Sequence, residues 1–264
     1  MAPLAPLVFI TGASSGIGQA LAASYLRTGW RVALAARRVE VMKSWLDACG
    51  VRPDSYEIYS CDVAEPDSVI AAAHACLAGQ GVPDVVIANA GLSVGVDTAE
   101  RADIDLLARI HAVNTVGVAA TFHAFIAPMR ERGRGRLVGI ASVAGIRGLP
   151  GHGAYCASKA AVISYCESLR GELRGSGVRV VTLSPGYVDT PLTRQNRYAM
   201  PFLLSADQFA ARARRAIARG ASYRTIPWQM GVVSCLLRAL PDALFDRLLA
   251  GRPRKHRQGG GRPP

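Results

Sequence analysis

The chain has 264 residues, a formal net charge of +12 and 50% hydrophobic residues. This length suits one large α/β domain and is short for two. Its six cysteines form no C-x-x-C pair and its five histidines are scattered, so we expect neither a metal site nor a disulfide framework. No positively charged segment precedes the first apolar run, so we expect no signal peptide and a cytoplasmic location.

The positive charge is compatible with anionic cofactors, lipid headgroups or nucleic acid, and it does not choose among them. Five of the cations lie in the tail 251–264, which contains no acid. We expect no nucleic acid as a partner, because the sequence has no helix-turn-helix or RNA-binding pattern and the tail has no aromatic residue.

Short apolar runs alternate with helical stretches along the chain. The predicted strands are residues 7–10, 31–36, 55–60, 84–88, 136–141 and 178–184, and the predicted helices are residues 19–27, 39–49, 66–78, 106–131 and 154–172. This alternation is typical of a doubly wound, mostly parallel sheet of the Rossmann type. We therefore predict a single α/β domain over residues 1–226 with a C-terminal amphipathic extension.

A glycine-rich turn joins the first predicted strand to the first predicted helix. Residues 11–18 read TGASSGIG, with Gly12, Gly16 and Gly18 in a G-x-x-x-G-x-G spacing. Between a strand and a helix, such a turn brings backbone N–H groups and the helix N-terminus close to a pyrophosphate. This context predicts dinucleotide binding, and the alternative is a tight turn without a ligand.

Arg37 and Arg38 follow the second predicted strand, where Ala36 stands in place of an acid. In a dinucleotide-binding fold an acid near this point holds the ribose 2′-hydroxyl, whereas an arginine accepts a 2′-phosphate. We therefore expect NADP(H) as the preferred cofactor, with Arg37 as the main contact and Arg38 as its helper, and NAD(H) as the second option. The alternative is that both arginines belong to a solvated loop.

Polar residues and glycines recur just beyond the predicted strands. The residues in such positions are Gly12, Arg37, Asp62, Asn89, Ser142 and Thr190. The carboxyl ends of parallel strands share one edge of a sheet, and open α/β sheets bind their ligands at that edge. We expect these residues to border one crevice.

Tyr155 and Lys159 lie four residues apart in the predicted helix 154–172, so both side chains face the same side. Lys159 is one of only three lysines among 31 basic residues. A nearby cation favours the phenolate and lowers the pKa of tyrosine from about 10 toward the range of a general acid/base. Ser142 precedes Tyr155 and can donate a hydrogen bond to a substrate oxygen. The alternative is that these are ordinary helix and loop residues with satisfied hydroxyl groups.

Asn114 lies inside the predicted helix 106–131. Asparagine is unfavourable there because its amide competes for the backbone hydrogen bonds. It is either a surface residue or a polar group that binds a water beside Tyr155 and Lys159, and the sequence leaves both interpretations open.

Together these motifs resemble those of the short-chain dehydrogenase/reductase family over residues 7–190, with a further strand expected at 222–226. The matching residues are the turn 11–18, Asp62, Val63, Asn89, Ala90, Gly91, Asn114, Ser142, Tyr155, Lys159, Pro185 and Gly186. The resemblance implies an NAD(P)-dependent oxidoreductase that transfers a hydride between nicotinamide and an alcohol or ketone.

The resemblance also implies roles for the matching residues. Tyr155 would be the general acid/base, Ser142 would bind the reacting oxygen, and Lys159 would hold the nicotinamide ribose while lowering the Tyr155 pKa. Asn114 would keep a water in the proton relay. The residues expected to contact the cofactor, including the two arginines, are Gly12, Ser14, Ser15, Gly16, Ile17, Gly18, Arg37, Arg38, Asp62, Val63, Asn89, Ala90, Gly91, Tyr155, Lys159, Pro185, Gly186, Val188 and Thr190.

The loops expected around the substrate are residues 92–94, 143–150 and 191–204, the last within a substrate loop of about 191–221. Their apolar character favours a lipophilic small molecule, reduced with NADPH, over a sugar or a charged acid. A scaffold that senses NADP(H) without catalysis is the alternative from another functional class.

Residues 228–250 are predicted to form two short amphipathic helices separated at Pro241, followed by the basic tail 251–264, which we expect to be disordered. The apolar stretch is far shorter than the about 20 residues of a membrane-spanning helix. The two helices can pack on a partner subunit of a homodimer or homotetramer, cap the substrate pocket, or contact a membrane peripherally through residues 228–257.

Overall fold

A computed structural model describes residues 5–196 and 198–251; the predicted disorder of residues 252–264 lies outside this part of the chain. The main-sheet strands are β1 (Leu7–Thr11), β2 (Arg31–Ala36), β3 (Tyr56–Ser60), β4 (Val85–Ala88), β5 (Gly135–Ile140), β6 (Val178–Pro185) and β9 (Tyr223–Ile226). Within the described residues they form one parallel sheet of seven strands in the order β3-β2-β1-β4-β5-β6-β9. A small second sheet pairs β7 (Val188–Asp189) with β8 (Leu204–Ser205).

Helices cover both faces of the main sheet. They are α1 (Gly16–Leu26), α2 (Val39–Ala48), α3 (Pro66–Gln80), α4 (Arg101–His111), α5 (Gly117–Glu131), α6 (Gly153–Glu172), α7 (Ala206–Arg219), α8 (Trp228–Ala239) and α9 (Asp242–Leu249). Successive β1 side chains point to opposite faces. Leu7 and Phe9 belong to the core layer under α3, α5 and α6, whereas Val8 and Ile10 belong to the layer under α1, α2 and α7. These two layers confirm the predicted doubly wound α/β fold.

The predicted helix 106–131 begins earlier than expected and is not α-helical throughout. A π-helical turn over Ala112–Val116 joins α4 to α5 and contains Asn114. A π turn adds one residue to a helical turn and often marks a functional site. Gly117 follows this turn, and a side chain at Gly117 would collide with Val63. The missing side chain therefore lets the turn lie against the loop that follows β3.

The continuous helical segment Arg101–Glu131 is long and apolar enough to cross a membrane by length and composition alone. In the most apolar 18-residue stretch of this segment, 56% is buried inside the protein. Phe122, Phe125 and Met129 are fully buried in the core layer under α3, α5 and α6. This is the behaviour of a core helix.

The segment expected to be a substrate loop contains a helix that we did not predict. The hydroxyl group of Ser205 accepts a hydrogen bond from the N–H of Gln208, and the Gln208 side chain accepts one from the N–H of Ser205. This capping box starts α7, whose Phe209, Ala213 and Ile217 are buried. In the described part of this segment, residues 191–196, 198–203 and 220–221 lie in turns and irregular structure.

Candidate functional site

A cavity of about 510 Å³ lies at the carboxyl ends of the central strands. The predicted site residues that line it are Gly12, Ser14, Ser15, Gly16, Ile17, Arg37, Arg38, Asp62, Val63, Asn89, Ala90, Gly91, Ser142, Tyr155, Lys159, Pro185, Gly186, Val188 and Thr190. Gly18 and Asn114 do not line the cavity and lie behind its wall. All the residues expected to border one crevice therefore meet at this edge of the sheet.

The glycine-rich turn forms one wall and has the shape needed for a phosphate group. Gly12 and Gly16 have φ angles of +68° and +58°, a left-handed conformation that glycine adopts without strain. A Cβ atom on Gly18 would collide with the carbonyl oxygen of Gly12 and lie 2.6 Å from Nδ2 of Asn89. The first turn of α1 contains no acid and its N-cap Ser15 makes no capping hydrogen bond. Its N–H groups are therefore available to an anion, and the turn fits a dinucleotide pyrophosphate.

Asn89 connects the end of β4 to this turn. Its backbone N–H donates to Oγ1 of Thr11 at 3.1 Å, and its Nδ2 donates to the carbonyl oxygen of Thr11 at 3.0 Å. Ala90 approaches so closely that a side chain on Gly12 would lie 2.8 Å from the Cα of Ala90. The two strand ends are thus held together as one floor of the cavity.

The two arginines after β2 point to different partners. The guanidinium group of Arg38 donates to Oγ of Ser14 at 3.0 Å and to Oγ of Ser15 at 2.9 Å. Arg37 instead forms an exposed ion pair of 3.5 Å with Asp62. Arg38 is therefore the arginine fixed on the glycine-rich turn. Arg109 of α4 also lines the cavity, and no sequence motif pointed to it.

Ser142, Tyr155 and Lys159 line the opposite wall. Oγ of Ser142 accepts the N–H of Ala144 at 3.2 Å, so its own proton can be donated to the Tyr155 oxygen or, in its place, to a substrate oxygen. Nζ of Lys159 donates to the carbonyl oxygen of Ile140 at 2.8 Å and lies 5.8 Å from the ring centre of Tyr155. The helical spacing of four residues thus places the phenol and the ammonium group on one side of α6, as predicted.

The pKa values of this pair follow from burial more than from their mutual attraction. Burial raises the Tyr155 pKa above its ordinary value, the hydrogen bond with the Ser142 side chain opposes this rise, and the nearby Cys156 adds to it. Burial lowers the Lys159 pKa to about 8. The lowering of the Tyr155 pKa that we expected from Lys159 stays a prediction, with the ammonium group 5.8 Å from the ring centre.

Asn114 is fully buried, which excludes the surface interpretation. Its Nδ2 donates to the carbonyl oxygen of Leu92 and to Oγ of Ser158, both at 2.9 Å, and its Oδ1 accepts the N–H of Leu92 at 2.7 Å. Both N–H groups of the amide are therefore used. A water could bond only to the second lone pair of Oδ1 or to the backbone of the π turn. Asn114 ties the loop after β4 to helix α6, which carries Tyr155 and Lys159.

A tight turn after β7 closes the cavity near the glycine-rich turn. Oγ1 of Thr193 accepts the N–H of Thr190 at 3.1 Å and donates to the carbonyl oxygen of Val188 at 2.5 Å. A side chain on Gly16 would lie 3.3 Å from Thr190. Thr193 was not predicted, and its contribution is to fix Val188 and Thr190 at the cavity wall.

A further, largely apolar part of the lining comes from the loop after β4, the π turn and the segment after β7. Its members are Leu92, Ser93, Val94, Val113, Pro191, Leu192, Thr193 and Gln195. Phe202 and Leu203, which we expected near the substrate, are not among the lining residues and are about half exposed. Tyr198 lies beside the ring of His152, with its hydroxyl group 3.4 Å from Nε2. It thereby connects the segment after β7 to the loop that precedes Tyr155.

Comparisons with known proteins agree with this arrangement. The family model described as short chain dehydrogenase matches residues 6–200. An oxidoreductase of Myxococcus xanthus is 40% identical over 237 residues, which cover 90% of this chain and 93% of that protein. A short chain dehydrogenase/reductase of Burkholderia phymatum, solved in complex with NAD, superposes with a TM-score of 0.80 at 25% identity and covers 95% of this chain and 97% of its own. An alcohol dehydrogenase of Thermococcus sibiricus, solved with 5-hydroxy-NADP, gives 0.72 at 28% identity over 84% of this chain and 96% of its own.

Proposed function

This chain belongs to the short-chain dehydrogenase/reductase family, and we propose that it transfers a hydride between NADP(H) and a lipophilic ketone or alcohol, in the reductase direction with NADPH. Members of the family are oxidoreductases that use a nicotinamide cofactor and act on alcohol or ketone groups. The observation that carries the proposal is the placement of Ser142, Tyr155 and Lys159 opposite the glycine-rich turn in one cavity.

The proposed mechanism gives each polar group of the site one task. When bound, the nicotinamide supplies the hydride. The hydroxyl group of Ser142 donates a hydrogen bond to the substrate carbonyl oxygen. The hydroxyl group of Tyr155 donates its proton to the alkoxide that develops there, and takes the proton back in the reverse direction. Lys159, fixed by the Ile140 carbonyl, holds the nicotinamide ribose and supplies positive charge beside Tyr155.

Three further groups support these in the proposal. The glycine-rich turn and the N-terminus of α1 bind the pyrophosphate. Asp62 and Val63 border the adenine, and Val188 and Thr190 hold the carboxamide. Asn114 joins Leu92 to Ser158 of α6 and so fixes the loop after β4 relative to the helix that carries Tyr155. A water of the proton relay would bind to Oδ1 of Asn114 or to the backbone of the π turn.

The proposed preference for NADPH rests on Arg38 more than on Arg37. Arg38 is already oriented over the glycine-rich turn by Ser14 and Ser15, whereas Arg37 is paired with Asp62. A charged guanidinium–phosphate contact contributes about 1.5–3 kcal/mol. We therefore assign the 2′-phosphate mainly to Arg38, with Arg37 as the helper.

The proposed substrate class follows from the lining of the cavity beyond Ser142 and Tyr155. Leu92, Val94 and Leu192 contribute apolar surface there. The polar residues of the same lining are Ser93, Arg109, Thr193 and Gln195. Such a wall suits an uncharged, apolar body next to the reacting carbonyl. We further propose a homodimer or homotetramer in the cytoplasm, with the catalytic domain ending at residue 226 and peripheral membrane contact through residues 228–257.

The test is a panel of lipophilic ketones and alcohols with NADPH, NADP, NADH and NAD, followed by nicotinamide absorbance. We expect ketone-dependent oxidation of NADPH that exceeds oxidation of NADH. A protein that binds NADPH, seen as a change in its fluorescence, but turns over no member of a broad panel would support the scaffold function instead. Faster turnover of sugars or charged acids would contradict the lipophilic substrate class.

A further inference from the structure

One arginine, Arg147, attaches helices α8 and α9 to the loop between Ser142 and Tyr155. The Arg147 side chain is only 12% exposed. Its Nη1 donates to the carbonyl oxygens of Leu237 and Leu240 at the end of α8, and its Nη2 donates to Oδ1 of Asp242 at 2.8 Å. A cation at a helix C-terminus is favourable because the last carbonyl groups lack backbone partners.

Further contacts complete this attachment. The guanidinium carbon of Arg147 lies 3.8 Å from the ring centre of Phe245, which is buried. Met230 packs against Gly186 at the cavity wall, where a Cβ atom on Gly186 would lie 2.6 Å from the Met230 side chain. The inward face of the helix pair is therefore occupied, and its orientation relative to the catalytic loop is fixed.

Each helix of the pair has an exposed apolar stripe, and the two stripes together are called the outward face. Trp228, Val232 and Leu236 follow one another at a spacing of four residues on α8, and Leu244 and Leu248 do so on α9. All five are between 46% and 67% exposed. A spacing of four keeps side chains on one side of a helix. Because the inward face is already packed, these side chains cannot be buried by a simple rotation of the helices.

We propose that this outward face, together with the basic tail that follows it, docks on the surface of an anionic lipid bilayer. The tail 252–264 begins three residues after Leu249 and carries five cations without an acid. An apolar helix face flanked by cations matches an interface of acyl chains and anionic headgroups. Tryptophan suits such a boundary because its ring is apolar and its indole N–H is polar.

The charge distribution favours lipid over a second copy of the chain on this face. A two-fold symmetric contact would use the same patch on both copies. It would therefore bring together the two chain ends at residue 251, each of which continues into a sequence with five cations and no acid, and like charges repel. An anionic bilayer instead neutralises them. The assembly of the proposed oligomer is accordingly expected through other surfaces.

Docking would place the reaction next to the lipid phase, and this consequence rests on the proposed function. Arg147 joins the helix pair to the loop between Ser142 and Tyr155, and Met230 joins it to Gly186. The cavity is thus attached rigidly to the docking face. A lipophilic substrate could pass from the bilayer to the cavity over a short path.

The test is flotation of the full chain with vesicles of phosphatidylcholine and phosphatidylglycerol, and with vesicles of phosphatidylcholine alone. We expect binding to the anionic vesicles that weakens at high salt because the charges are exposed. Combined Trp228→Ser, Leu236→Ser and Leu248→Ser should lower the partition coefficient at least about tenfold, because transfer of even one large apolar side chain changes it by that factor. Replacement of the tail cations by glutamine should also weaken binding.

Val41→Ser with Ile104→Ser is the matched control, since both side chains are similarly exposed but lie on other helices. This control should float like the wild type, and thermal melts should show every variant folded. Absence of wild-type flotation, or equal flotation of the triple variant, would overturn the proposal. So would a triple variant that changes only from dimer to monomer on a sizing column with light scattering. Because flotation requires no turnover, these outcomes are independent of the proposed activity.

Discussion

Lys159 is expected to destabilise the folded protein near neutral pH. Its ammonium group is 4% exposed and bonded to the Ile140 carbonyl, and burial lowers its pKa from 10.5 to about 8. A shift of this size corresponds to about 3 kcal/mol. Below pH 8 Lys159 is protonated in both the folded and the unfolded chain, so the folded protein bears the full free-energy cost of burying its charge. Between 8 and 10.5 the unfolded chain binds more protons, and stability rises with pH.

Lys159→Met should therefore stabilise the protein without cofactor at neutral pH while abolishing turnover. The variant removes the penalty of about 3 kcal/mol for burying the charged ammonium group, but it also loses about 1 kcal/mol from the hydrogen bond to the Ile140 carbonyl. The free energy of unfolding should therefore rise by about 2 kcal/mol. Urea unfolding of both proteins near pH 7 and near pH 10 measures the difference, which should shrink at the higher pH. Lys43→Met is the control, because Lys43 is exposed on α2. A difference that does not depend on pH, or a variant less stable near pH 7, would refute this reasoning.

Three further predictions concern the cofactor wall and the proton relay, and the first two each include a comparison variant. Arg38→Ala should lower kcat/KM for NADPH relative to NADH by about tenfold or more and Arg37→Ala should do so less, in steady-state kinetics; equal losses would contradict the assignment. Gly18→Ala should abolish NADPH binding measured by fluorescence and destabilise by about 1–3 kcal/mol, whereas Gly171→Ala, with open space around it, should be neutral or stabilising by up to about 1 kcal/mol. Asn114→Ala should cost about 2–4 kcal/mol in urea unfolding, because it leaves buried backbone and hydroxyl groups unpaired; a smaller loss would mean that they find other partners.

The fold and the convergence of the site were predictable because both depend on periodicity and chain order. Apolar strands that alternate with helices can form few arrangements other than a parallel sheet with helices on both faces. In that arrangement every strand delivers its carboxyl end to the same edge. Gly12, Asn89 and Ser142 therefore had to meet, although 130 residues separate the first from the last.

Other features depend on the local backbone and on the directions of individual side chains, which the spacing of apolar residues in the sequence does not determine. The π turn at Asn114 lies between two stretches that each have a helical sequence, so the sequence predicts one continuous helix there. The choice between Arg37 and Arg38 depends on which side chain turns toward Ser14. Sequence spacing placed Lys159 beside Tyr155 but could not give its hydrogen-bond partner, the carbonyl oxygen of Ile140.

One missed element was readable from the sequence. Ser205 followed by Gln208 is a capping box, and Phe209 opens the buried stripe of α7. We expected the whole segment, including its arginines, to belong to the substrate loop. The structure places those arginines mostly on the outer side of a helix whose small apolar residues are buried.

The measurement that tests the central claim most directly is turnover by Tyr155→Phe. The variant keeps the ring and removes only the hydroxyl group, so NADPH binding should stay within about twofold of the wild type. Oxidation of NADPH with the best ketone of the panel should fall by at least about a hundredfold, the usual contribution of a positioned general acid. Turnover near the wild-type rate, with NADPH binding intact, would contradict the assignment of Tyr155 as the proton donor.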